Sequence, residues 1–150
     1  MDDIDRQLLR LLQRDATRTA ESLGQALNLS SSQAGRRRAR LEAEGVISTT
    51  VVRVDPARVG LLVQAFVQVQ MASHAPEGAR AFLRLLDAEP RVTGVWTLTG
   101  EADYLLHVWC PDLGALNDLV HRVLLPQPAV ARVQSQIVMD QPKRDGPLPV

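Results

Sequence analysis

The feature that most restricts how this chain can fold is residues 19–47, TAESLGQALNLSSSQAGRRRARLEAEGVI. It reads as a short helix, a tight turn and a second helix with an arginine-rich outer face. Thr19 supplies a hydroxyl N-cap, and Leu23, Ala26 and Leu27 form the stripe that the first of these helices buries. Asn28 ends it, because asparagine takes the left-handed conformation more readily than most non-glycine residues. Leu29 packs beneath the turn. Ser30 opens the next helix with Gln33 three residues on, the spacing of a capping box. On a helical wheel Gln33, Arg36, Arg37 and Arg40 share one face, while Ala34 and Leu41 fall on another. The pattern is a helix-turn-helix.

A guanidinium can fork onto a guanine edge or a phosphate, so a helix carrying several on one side suits a DNA groove. Arginine runs on helices are more often just solvated faces. Here the short preceding helix, the three-residue turn and the Gly45-Val46-Ile47 exit favour the groove. That exit leads into residues 48–54, STTVVRV, a β-branched run that fits the strands of a small wing. Ser31, Ser32, Gln33 and Arg36 are expected at the groove-facing N-terminal part of the recognition helix. Glutamine can bond adenine and arginine guanine bidentately, and the serines fit a base edge or a phosphate. Arg37 and Arg40 are expected as backbone anchors. The reading requires that these guanidiniums are not spent on intramolecular contacts.

The formal net charge is zero, which a DNA-binding surface must answer. The answer is local. Arg36, Arg37, Arg38 and Arg40 lie close together, whereas acids outnumber bases ten to nine from Val51 onward. A phosphate senses the nearby patch, since screening sets in within roughly 8–10 Å. Aromatics make up only 3% of the chain, which argues against recognition by base stacking. Cys110, the one cysteine, cannot form an internal disulfide and sits in an apolar run like a small hydrophobe. No leader-like segment and no apolar run near ~18 residues occurs, so a cytoplasmic protein without membrane association is expected.

Asp3–Arg14 carries Ile4, Leu8, Leu11 and Leu12 at helical spacing and serves as the scaffold for the next two helices. Residues 1–54 are thus expected as a winged helix-turn-helix domain. Residues 55–60 combine Pro56 and Gly60 with polar residues and read as a linker. In residues 63–72, Val63, Ala65, Val67, Val69 and Met71 alternate with Gln64, Gln68 and Gln70, a strand. Pro76 suits the first turn of a helix that carries Ala79, Phe82, Leu83 and Leu86. Residues 92–99 and 104–110 are strands joined by the loop Gly100-Glu101-Ala102-Asp103. Asp112 caps a helix with Leu113, Leu116, Leu119, Val120 and Val123 inward, and residues 130–139 form the last strand. The order βαββαβ is the split ferredoxin-like unit, here residues 61–140, in an α+β protein. Residues 141–150 read as a loose tail. One sheet face, with Gln64, Phe66, Gln68, Gln70, Val95 and Trp109, is too mixed for pure solvent. A second subunit's sheet is the economical cover, and such a homodimer sets two helix-turn-helix units against a palindromic operator in double-stranded DNA.

These residues resemble the Lrp/AsnC (leucine-responsive, feast/famine) family of transcriptional regulators. IDRQLL at the start, LEAEGVI after the recognition helix and GEADYLL at the central hairpin carry the resemblance, which spans nearly the whole chain. It implies dimers that often assemble into tetramers or octamers, and an amino acid or related metabolite bound between dimers beside the hairpin. By position, Gly100 and Asp103 match the family's effector-loop glycine and second acid, Thr99 flanks the loop, and Ser135 matches a last-strand hydroxyl. A glycine lets a backbone amide approach a carboxylate, and an aspartate can accept an α-ammonium. Both residue types also simply shape turns. Glu101 is expected in solvent. Arg38 departs from the family, which more commonly has a small or branched apolar residue there; its stem is expected over the core with its head offered to a phosphate.

Two other readings compete. Some proteins of similar architecture decarboxylate sirohaem, using histidine and arginine in a cleft of the second domain. Here His74, His107 and His121 are scattered over a loop, a strand and a helix, with no metal-ligand spacing, so neither catalysis nor a metal or cofactor is expected. The third reading is a metabolite sensor that contacts other proteins and carries a vestigial DNA module.

Overall fold

Every residue except His74 and Asp145 is described by the computed structural model. The chain divides into two compact units, residues 1–53 with 142–150 and residues 54–141. Three helices build the first: α1 (Asp3–Arg14), α2 (Ala20–Leu27) and α3 (Ser31–Ala43). Each start is set by a side-chain cap. Asp2 and Asp5 form a reciprocal box on α1, Thr19 accepts from the Ser22 amide, and Ser30 and Gln33 form the second box. Asn28 ends α2 in the left-handed conformation at φ 56°, leaving its amide to bond the Gly24 carbonyl.

Leu8, Leu9, Leu27 and Leu41 form the buried cluster, with Ile4, Leu11, Leu12, Leu29 and Ile47 around it. Leu23 is fully buried, but Ala26 is exposed and Gly24 takes the buried place expected for it. The reason is close approach: a Cβ on Gly24 would lie 2.7 Å from the Leu29 carbonyl oxygen, so the turn packs on bare backbone.

Two expectations for this unit are corrected. Residues 48–54 form no strand, and Val51 and Val52 are 70% and 90% exposed. A β-branched run has no strand of its own without a neighbouring edge to take its amides and carbonyls, and no described residue pairs with it as one. The tail, in turn, is anchored rather than loose. Gln13 accepts from the Leu148 amide at 2.6 Å and donates to its carbonyl at 3.3 Å, while the Arg10 guanidinium donates to the Val150 carbonyl.

The second unit is a four-stranded antiparallel sheet made of β1 (Val63–Met71), β2 (Val92–Thr97), β3 (Tyr104–Cys110) and β4 (Val130–Ile137), in the order β2-β3-β1-β4. The connections carry α4 (Pro76–Ala88) and α5 (Leu113–Asp118), and α5 runs on into a wider helical turn at Leu119–Leu124. The ferredoxin-like topology follows from alternation: Ala65, Val67, Val69, Leu106 and Val108 point to the helices and bury fully with Phe82 and Leu119. Leu113, expected inward, is 57% exposed because it opens the first turn of α5.

The opposite face carries Gln64, Phe66 and Gln68 of β1 across from Trp109, His107 and Leu105 of β3. Val95 does not belong to it. The register of β2 against β3 shifts between Val92 and Gly94, so Val95 pairs with the helix-facing Leu106 and Trp96 takes the open face instead.

Candidate nucleic-acid interface and effector loop

The capped start of α3 leaves Ser31, Ser32, Gln33 and Arg36 exposed along its first two turns. Arg36 makes no ion pair among the described residues. Beside it lies a concavity of about 340 Å³ lined by Asp2, Leu29, Gln33, Arg36, Arg37 and Arg40. Gln33 is only partly available. Its carbonyl oxygen takes the Ser30 amide at 2.9 Å, so the bidentate adenine contact expected of it would have to give up the cap, and its NH2 is the end left to reach outward.

Arg37 and Arg40, expected as backbone anchors, make ion pairs within the helical unit. Asp5 is fully buried, and a buried carboxylate is stable only when charge and hydrogen bonds surround it. Arg37 Nη1 donates to Asp5 Oδ1 at 2.8 Å and to Asp2 Oδ2 at 2.7 Å, and Arg40 Nη2 donates to Asp5 Oδ2 at 2.6 Å. Burial pushes the Asp5 carboxyl up, but the Asp2 amide and the two guanidiniums outweigh it and hold its pKa at about 2. The Asp5 amide and Arg37 likewise lower Asp2, and its two aspartates raise Arg37. Both arginines therefore bind within the unit first. The requirement that the guanidiniums stay out of intramolecular contacts holds for Arg36 and fails for Arg37 and Arg40, although the Arg40 side chain is still 47% exposed. Arg38 is also corrected: its Nε donates to Glu42 at 2.9 Å and its Nη1 to the Arg18 carbonyl at 3.3 Å, so its head is not offered outward.

The loop between β2 and β3 is shaped by Gly100 and Asp103. Gly100 has φ +118°, a conformation that side chains other than glycine's rarely adopt, and open space where a Cβ would stand. The Asp103 amide donates to the Val69 carbonyl at 3.0 Å, and its carboxylate accepts from the Met71 amide at 2.7 Å, pinning the loop to the end of β1. Thr99 is exposed beside Gly100. Ser135 stands apart from these three. It pairs with Val67, which places it on the helix side of the sheet. On the open side a hollow of about 30 Å³ is lined by Gln68, Gln70, Glu101, Ala102, Arg132 and Gln134. That volume holds about one or two waters, not an amino acid. The strand glutamines and Arg132 were readable as open-face residues but carried no motif.

His107 accepts or donates to Gln64 at 2.8 Å and Thr93 at 3.0 Å and stacks with Phe66 at 5.1 Å. His121 lies in the wide turn after α5, and His74 lies outside the described residues. Burial raises the pKa of Cys110, an inert position for a thiol. No helix of the structure is long and apolar enough to cross a membrane, among the described residues.

Residues 1–42 match the AsnC-type helix-turn-helix domain and residues 64–148 the Lrp/AsnC ligand binding domain. The DNA-binding transcriptional activator DecR of Escherichia coli is 34% identical over 150 residues, covering 100% of this chain and 99% of that protein. The glutamate uptake regulatory protein of Zymomonas mobilis is 32% identical, covering 100% of this chain and 91% of its own length. Among solved structures, a transcriptional regulator of Neisseria meningitidis in complex with L-methionine superposes with a TM-score of 0.95 at 31% identity, over 99% of this chain and 96% of that one.

Proposed function

Because the chain belongs to the Lrp/AsnC family of transcriptional regulators, we propose that it is a cytoplasmic, dimeric regulator that binds double-stranded DNA and responds to an amino acid. One observation supports the DNA assignment above the others: the doubly capped start of α3 presents Ser31, Ser32, the Gln33 amide and Arg36 to solvent beside an arginine-lined concavity. Arg36 reads a base edge, the serines and Gln33 contact bases or phosphates, and Arg37 and Arg40 reach phosphates with the N–H groups that Asp5 does not take. Residues 1–54 form this module, with residues 55–60 as linker to the sensing domain.

Dimerisation is supported by the open sheet face, where Phe66, Trp96, Leu105 and Trp109 lie around His107 and polar neighbours. Two such faces together cover apolar area that neither covers alone. Effector binding is assigned to Thr99, Gly100 and Asp103 at the β2–β3 loop, and Ser135, paired with the helix-facing Val67, is left out of it. Gly100 leaves room for a carboxylate against backbone amides, and the small hollow fits a site completed by further subunits, as in a tetramer or octamer.

Mobility shift on the promoter beside its own gene tests the regulator reading, with retardation expected and Arg36→Ala relaxing preference at particular base pairs. Unchanged preference in Arg36→Ala contradicts its base contact. No shift at any salt or effector concentration favours a protein-contacting sensor. Thermal shift against the common amino acids tests the effector, because a ligand that binds only the native state raises the melting temperature by mass action.

A further inference from the structure

Two carboxylates three residues apart at the start of α1, the cap Asp2 and Asp5, touch the same guanidinium, and they differ in burial. The Asp5 side chain is 1% exposed and the Asp2 side chain 54%. Asp5 divides its oxygens, Oδ1 to Arg37 and Oδ2 to Arg40. That arrangement fixes two long side chains of α3 at one guanidinium nitrogen each, with the remaining N–H donors of each fork uncommitted to Asp5. An arginine already held in one geometry has spent the rotamer freedom that a phosphate contact would otherwise cost. Asp2 is the one acid among the residues lining the 340 Å³ concavity. Its Oδ1 caps α1 by accepting from the Asp5 amide at 2.8 Å, and only its Oδ2 engages Arg37. A carboxylate oxygen on a guanidinium occupies the place a phosphate oxygen would take.

We infer that Asp5 is a positioning residue that pre-sets Arg37 and Arg40 for backbone phosphates, and that Asp2 is a built-in competitor that a duplex must displace from Arg37. The inference rests on the DNA-binding reading and assigns opposite effects to the two acids. Asp5 supports affinity. Asp2 lowers it, setting a threshold for binding that grows weaker as salt rises.

The two roles separate by substitution. Asparagine is as good an N-cap as aspartate, so Asp2→Asn keeps the helix start and removes only the charge and the competing oxygen. Asp3→Asn is the control: it makes the same change of net charge one residue away, outside the arginine cluster. Binding of the full-length protein to a labelled duplex carrying its own promoter is measured by fluorescence anisotropy across salt concentrations, with melting curves to verify folding. Asp2→Asn is expected to tighten binding about fivefold at low salt, the size of a surface ion pair released in each of two subunits. Asp3→Asn should change it less than about twofold.

Asp5→Asn is expected to flatten the log–log salt slope from near −5 toward about −2, as two phosphate contacts per subunit are lost. A merely structural Asp5 would lower the competent fraction, weaken binding by one factor at every salt and leave the slope unchanged. Equal effects of Asp2→Asn and Asp3→Asn, or an unchanged slope in Asp5→Asn, overturn the inference. Should Asp5→Asn fail to fold, the contrast between Asp2→Asn and Asp3→Asn decides it. Wild-type protein that binds no duplex removes the DNA reading itself, a result distinct from any of these.

Discussion

The two units of this chain keep their elements together in different ways. In the sheet unit the buried side chains among the described residues are apolar or aromatic, with Phe82, Leu86, Leu106, Val67 and Leu119 between helices and strands. Its ion pairs Asp55–Arg58, Glu89–Arg91 and Asp118–Arg122 each join residues two to four apart in sequence. The helical unit has a smaller cluster around Leu8, Leu27 and Leu41 and places a charged residue, Asp5, fully inside. Apolar side chains of similar size could stabilise that junction at least as well. What a hydrophobic contact lacks is direction: the two-pronged grip of Asp5 on Arg37 and Arg40 fixes how α3 is turned on α1, and with it which side chains face outward. Small modules whose function is to present one helix face gain from such a contact, whereas a sensing domain built on a sheet takes its geometry from the strand register.

The contrast can be broken most directly by truncation in the sheet unit. Phe82→Ala should lose about 3–5 kcal/mol, the cost of emptying a fully buried aromatic site, and chemical denaturation would show it. A loss below about 1 kcal/mol would mean that this interior is not what holds the unit. Acid sharpens the contrast from the other side. The Asp5 pKa is depressed from 3.8 to about 2 in the folded protein, so its contribution is complete above about pH 4 and is lost as pH falls through 2. That shift corresponds to about 2 kcal/mol. Melting of wild type and Asp5→Asn between pH 6 and pH 2 should therefore converge toward the acid end; parallel curves would contradict the ionic junction. The smallest effect belongs to the cap. Ser30→Ala should cost about 1 kcal/mol and Ser30→Asn much less, since only the second retains an acceptor for the Gln33 amide.

Local features of the fold were readable from the chain because their causes are local. Thr19, Ser30 and Asn28 act on amides and carbonyls within a few residues, and the alternation from Val63 to Met71 reports a strand with one covered face. The features that escaped reading depend on partners far along the chain. Asp5 lies beside the apolar stripe of α1 and looks like one more surface acid until Arg37 and Arg40, more than thirty residues on, are placed against it. The extra residue near Thr93 moves Val95 to the helix side of the sheet, and nothing in VTGVWT marks it except Gly94. The β-branched run at residues 48–54 shows the converse error, where propensity was present and a pairing edge was not. Of the proposed site, the exposed serines and Arg36 were legible as a helix face. The internal commitments of Arg37, Arg38 and Arg40 were not, whereas that of Gln33 was already implied by its capping-box spacing from Ser30.

In the proposed function a short capped helix delivers positive side chains to a duplex twice over, once from each subunit of a dimer. Equilibrium binding of the wild-type protein to its own promoter fragment, followed across salt concentration, tests it most directly. Two subunits neutralising about three phosphates each predict a log–log slope near −5. A slope close to zero, or the same affinity in Arg36→Ala at every salt, would contradict it.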